Sequence, residues 1–180
     1  MFVKRFIEKS NFFNIIFKIK FKFNKNMLNI EVWKENEILR KVSKKIKDSD
    51  IKKYVKLGKE MIKYIKNPDN GWVGLAAPQV GHNVRLIIVS LLKDRDDENF
   101  STVMMINPEI TEHSNETEKD IEGCLSVPWE KGKVSRFTKI KLKYIDEKAK
   151  VKVLYLDHLS ARIIQHEIDH LDWILFTDKI

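Results

Sequence analysis

The sequence predicts an α+β fold, and three observations carry that reading. Residues 50–66 repeat apolar side chains at spacings of three and four, the stripe of an amphipathic helix. Strand-like runs follow at 84–92, 102–106, 137–145 and 150–156, with no regular βαβ alternation. A second helix is expected after them, over about Leu159 to Asp172.

In the first helix the stripe is Ile51, Tyr54, Val55, Gly58, Met61, Ile62 and Ile65. Asp48, Ser49 and Asp50 offer N-caps, and Asn67-Pro68-Asp69-Asn70-Gly71 ends the helix in a turn. A Gly/Ala-rich passage, Gly71 to Gln79, leads into the first strand run. A charged loop, 93–99, separates the first two runs. The last two flank Asp146-Glu147-Lys148-Ala149 and read as a hairpin. Residues 28–180 read as a single domain with no internal repeat, a usual length for one core.

Composition excludes several functions. At 43% apolar and 33% charged residues the chain is a globular type, and no apolar run approaches the ~18–20 residues of a membrane span. The single cysteine forms no internal disulfide, which suits a reducing compartment. Of the net charge of +8, residues 1–30 carry +6. Lys52, Lys53, Lys56 and Lys63 lie along the first helix and read as its solvated face, so no nucleic-acid partner is expected. Residues 1–27 are basic, Phe-rich and nearly free of acids. They read as a transit peptide, a disordered tail or an upstream stretch before a true start at Met27. A cytoplasmic bacterial location is expected, or a mitochondrion or plastid if the segment is a transit peptide.

The chemistry-bearing segment is Gln165-His166-Glu167-Ile168-Asp169-His170-Leu171. Histidines four apart on a helix face the same way and can hold one metal ion, with Glu167 placed to handle a proton of bound water. A third ligand is needed. His113 and His158 are candidates, but Cys124, the sole thiol, in the small-residue segment Glu122-Gly123-Cys124-Leu125-Ser126, is the better one.

Gly74-Leu75-Ala76-Ala77-Pro78-Gln79, Glu122 to Ser126 and Gln165 to Leu171 together resemble the three ordered motifs of the peptide deformylase family, from about Met27 onward. The resemblance implies antiparallel β-sheets packed around a central helix that carries the His-Glu-Ile-Asp-His motif. It implies hydrolysis of the N-formyl group from the formylmethionine of nascent polypeptides, releasing formate. It also implies one divalent ion, Fe(II) with Zn, Ni or Co as alternatives, on Cys124, His166 and His170. Glu167 would be the general acid and base. The Gln79 amide and the Leu125 backbone N–H would be donors to the developing oxyanion. Val73, Gly74 and the strand after Ser126 would line the site, the peptide lying against exposed backbone as an added strand. Glu122 would sit near the methionine pocket; its alternative is a surface carboxylate paired with Arg136 or a lysine. A monomer is expected.

Three positions depart from the family pattern. Trp72 and Trp173 stand where glycine is usual, and Lys131 where some bacterial members have arginine. The resemblance also implies the ribosome as a partner, docked in bacterial members through a C-terminal helix; with only ten residues after His170 that docking is in doubt. Two other readings compete. Another His-Glu-x-x-His metallohydrolase, such as a peptidase, would take a third His or Glu downstream in place of Cys124. A catalytically weak relative would bind formyl-peptides without turnover.

Overall fold

The computed structural model describes residues 28–97 and 100–180, so the segment 1–27 and any role for it lie outside the described residues. The architecture is α+β. Helix α1 (Ile51–Lys66) precedes seven strands, β1 (Gly74–Ala76), β2 (Leu86–Leu91), β3 (Ser101–His113), β4 (Thr117–Cys124), β5 (Val127–Phe137), β6 (Lys139–Ile145) and β7 (Val151–Asp157), and helix α2 (His158–Leu171) follows. Five strands form one sheet in the order β1-β2-β3-β6-β7, and β4 pairs with β5 separately. Every strand pair is antiparallel. No helix among the described residues is long and apolar enough to cross a membrane.

Strand β2 shows why the core has two halves. Leu86-Ile87-Ile88-Val89 is a continuous apolar run because both faces of the strand are covered. Ile87 and Val89 pack with Ala161, Ile164 and Ile168 of α2, while Leu86 and Ile88 pack with Met61 and Ile65 of α1. Helix α2 is thus the central element, touching the large sheet and β5. The lysines 52, 53, 56 and 63 are exposed, as a solvated face requires.

The expected boundaries shift in three places. Asp48–Asp50 forms a short 3₁₀ turn into α1, and Asp50, the N-cap, makes no side-chain capping bond. The run expected at 102–106 extends to His113. Asn107, at φ 51°, and Pro108 form a β-bulge across which β3 changes partner from β2 to β6. The Asn107 side chain secures that bend by bonding both the N–H and the C=O of Ile46, each at 2.8 Å. The hairpin β4–β5 was not foreseen. It buries only Glu122 and Cys124 from β4, and on β5 the inward positions include Glu130, Gly132 and Arg136, so its buried face is not written as a run of alternating apolar residues.

The segment 28–47 straps the three motifs together. Glu31 N–H bonds Gln79 O, Trp33 N–H bonds Ser126 O, and Ser43 N–H bonds Leu171 O, each at 2.8 Å.

Helix α2 ends in a Schellman motif: Ile174 N–H bonds Asp169 O at 2.9 Å, with Trp173 at φ 62°. Glycine adopts that left-handed conformation without steric cost, which accounts for the glycine expected there. Trp173 is 54% exposed and lies outside the cavity described below. Replacing Trp173 with Gly is expected to stabilise the fold by up to ~1 kcal/mol, read as a higher urea midpoint with an unchanged slope.

Candidate metal centre and active site

Cys124 closes β4, and the two-residue turn Leu125-Ser126 returns the chain into β5. That turn brings the thiol against the face of α2 that carries His166 and His170. The three ligand atoms lie within 4.8 Å of one another, and Cys124 Sγ is 3.2 Å from His170 Nε2. A thiolate and two imidazoles within that span suit a single divalent ion. The other candidates stand elsewhere: His113 stacks on Phe137 at 3.7 Å, and His158, 3.9 Å from Glu118, is exposed.

Burial alone would raise the Cys124 thiol, yet His170 and His166 draw it well below its usual range. His166 is shifted the other way. Burial alone would lower it, but Cys124 and Glu122 hold it well above its usual value. His166 Nδ1–H donates to Glu122 at 2.9 Å, which leaves Nε2 available as the ligand atom.

Glu122 is itself fixed. Both its oxygens accept from Arg136, each at 2.9 Å, and Oε1 also accepts from Arg162 at 2.8 Å. Arg136 reaches on to Asp169, one residue before His170. Arg162 spends its remaining bonds on the Val134 and Glu118 carbonyls, at 2.9 and 2.5 Å. Burial alone would raise the Glu122 carboxyl, but Arg136 and His166 hold it far below the usual range. The pairing with Arg136 considered from sequence is present, in the interior and not at the surface. Glu122 also lines the cavity at the site. The role of Arg162 was missed. Its one signal was the spacing of four from His166, which places both on one helix face.

Glu167 is 5% exposed, and its Oε2 has no hydrogen-bond partner among the described residues. Burial pushes its carboxyl up to about 7, partly opposed by His166 and His170. An unpartnered buried oxygen beside three ligand atoms is the feature expected of a group that exchanges a proton with something bound there. Gly74 makes room for it. A Cβ built at residue 74 would meet Glu167 Cδ at 2.8 Å and Cγ at 2.9 Å. Gly74→Ala should therefore drive the carboxylate from its position and cut turnover on the order of 10²-fold, with metal content, read by elemental analysis, unchanged.

Gln79 sits in a 3₁₀ turn, Ala77–Val80, and is 2% exposed. Its Oε1 accepts from Ala76 N–H at 2.8 Å, which orients the amide. Its Nε2 then points to Ser126 Oγ at 3.2 Å and Cys124 Sγ at 3.5 Å. Leu125 and Val73 are half-buried beside it. Together with Trp72, Gly74 and Glu122 they line one cavity against Cys124, His166 and Glu167. Trp72 thus flanks the site, unlike Trp173. Among the described residues strand β1 is the edge of its sheet, pairing only with β2, so an extended backbone can lie along its other side.

An α+β domain whose central helix presents two histidines and a buried glutamate to a cysteine thiol defines a metal-dependent hydrolase. A family model described as polypeptide deformylase matches residues 27–180. The chain is 42% identical over 145 residues to peptide deformylase 1 of Clostridium acetobutylicum, covering 81% of this chain and 89% of that one. It is 41% identical over 145 residues to a peptide deformylase of Chlorobium phaeobacteroides, covering 81% and 76%. Among solved structures, a probable peptide deformylase from the Synechococcus phage S-SSM7 superposes with a TM-score of 0.75 at 38% identity, covering 85% of this chain and 99% of that one. A Met-Ala-Ser-bound class I type b peptide deformylase from Acinetobacter baumannii gives 0.76 at 32% identity, covering 86% and 98%. The chain belongs to the polypeptide deformylase family, whose activity is removal of the N-formyl group from nascent peptides.

Proposed function

We propose that this chain deformylates N-formylmethionyl peptides with Cys124, His166 and His170 as ligands of one divalent ion and Glu167 as the acid and base. The observation that carries the assignment is the buried, unpartnered Glu167 oxygen beside the three convergent ligand atoms. When bound, the ion supplies Lewis-acid activation of a water and of the formyl carbonyl. Glu167 accepts the proton of the attacking water at its free oxygen and returns it to the departing amine, forming formate and a free amino terminus. The Gln79 amide, oriented by Ala76 N–H, and the Leu125 N–H donate to the oxygen on which charge develops; one such donor typically contributes ~2.7–4 kcal/mol. Gln79 is suited to this because an uncharged amide does not compete for the ion.

The Acinetobacter relative binds Met-Ala-Ser, a tripeptide of the kind this reaction releases. By analogy the peptide lies extended along the open edge of β1 at Val73 and Gly74, with Lys131, opposite Gly123 on β5, near its backbone. Glu122 acts from beneath, holding His166. Fe(II) is the proposed native ion, with Zn, Ni or Co able to take the site. The protein acts as a cytoplasmic monomer on peptides emerging from the ribosome.

Formate release from formyl-Met-Ala-Ser by anaerobically purified, Fe(II)-loaded protein tests this. Release no greater than that of a Glu167→Ala control would sink the assignment. Cys124→Ala is expected to lose the ion as well as turnover, and full metal content in that variant would remove Cys124 from the ligand set.

A further inference from the structure

The cavity beside the metal ligands does not end at them. It continues along α2 from His166 past Ile163 and Leu159, and Arg95 lines it too. His166 and Leu159 are seven residues apart on the helix, so this limb is about 10 Å long at ~1.5 Å per residue. Arg95 belongs to the loop after β2. That loop is tied to the far end of α2, because Ser160 Oγ donates to Leu92 O at 2.7 Å. The Arg95 guanidinium pairs with Asp120 of β4, and its side chain is only 32% exposed. A head held at Asp120 makes the aliphatic stem the part of Arg95 suited to lining an apolar cavity. Arg162, the other cation lining this limb, is directed to Glu122 and to the Val134 and Glu118 carbonyls.

We propose that Arg95, anchored by Asp120, is a specificity-determining residue: its stem forms the end wall of the limb that receives the first side chain of the formyl-peptide. This rests on the deformylase reading above. A peptide whose formyl carbon lies at the ligands projects its first side chain into the limb. A long unbranched side chain reaches Arg95, whereas the methyl of alanine stops near Glu167. Arg95 therefore contributes to binding the long chain and nothing to the short one.

The test compares kcat/KM for formyl-Met-Ala-Ser and formyl-Ala-Ala-Ser on Fe(II)-loaded full-length protein. Arg95→Ala is expected to lower the Met-to-Ala preference about tenfold, the effect of losing a methylene-scale contact in an apolar pocket. Turnover of the alanine substrate should stay unchanged, which also shows that the variant is folded. Arg95→Lys keeps a stem and a charge for Asp120 and should retain most of the preference, whereas Asp120→Ala should fall between the two. An unmoved preference in Arg95→Ala, or a parallel fall for both substrates, overturns the assignment while formate release by the unsubstituted protein upholds the deformylase reading. No formate from the unsubstituted protein with either substrate overturns both.

Discussion

Glu167→Gln is expected to abolish formate release and, in the metal-free protein, to raise stability at neutral pH. The first effect follows from the acid–base role: glutamine cannot take the proton of the attacking water, and losing such a group costs on the order of 10²–10⁴-fold in rate. The second follows from burial. The folded carboxyl sits at about 7, against ~4.3 for an unfolded glutamate. Between those values the unfolded chain sheds its proton while the folded chain keeps it. Stability therefore falls as pH rises from ~4.3 through 7 and stays low above that. Glutamine removes this slope. The gain at pH 8 should be about 1–3 kcal/mol, after allowing for a buried amide with an unmet bond. Urea denaturation of the chelated proteins at pH 5 and pH 8 checks it: the two should nearly coincide at pH 5 and separate at pH 8. Equal stability at both values would mean that Glu167 is not held protonated by its surroundings. Activity and stability are thus opposed at one side chain, as expected where a charge is kept ready in an apolar setting.

The proposed metal ligands were legible in the sequence to different degrees. His166, Glu167 and His170 are written on one helix face by their spacing, and the helix stands within a residue of its expected span. Apart from the family resemblance of its segment, Cys124 was legible as the sole thiol among small residues. Its approach to His170 depends on a hairpin whose inward positions include Glu122, Gly132 and Arg136, so no apolar alternation marks its buried face. The bulge at Asn107-Pro108 was equally hidden, because Asn-Pro reads as the end of a strand and here only changes its partner. Gly74 could be read as a lining residue, but not as the space that Glu167 occupies. Local pattern reports what a helix presents, and it is silent on what long-range pairing brings opposite.

Glu122→Ala is the second change expected to be severe, and it separates support from chemistry. Glu122 lines the cavity, and beneath it accepts from Arg136, Arg162 and His166 at once. Removing it leaves Arg162 in the interior with carbonyl partners only, and Arg136 with Asp169 alone. Breaking a buried pair in this way costs about 3–5 kcal/mol. The His166 ring also loses the acceptor that fixes its tautomer, so metal affinity should fall 10–100-fold. The pH dependence runs opposite to that of Glu167. The folded carboxyl lies well below ~4.3, so its stabilisation is fully present above that value and fades as pH falls beneath it. Glu122→Ala should therefore be much less stable than the unsubstituted protein at pH 7, with the difference narrowing below pH ~4. Metal titration adds the second readout. A Glu122→Gln variant keeps an oxygen for His166 Nδ1–H while losing the charge, so it should recover metal affinity more fully than stability. Recovery of both together would mean that the two arginines are satisfied by their other partners, and that Glu122 serves the histidine alone.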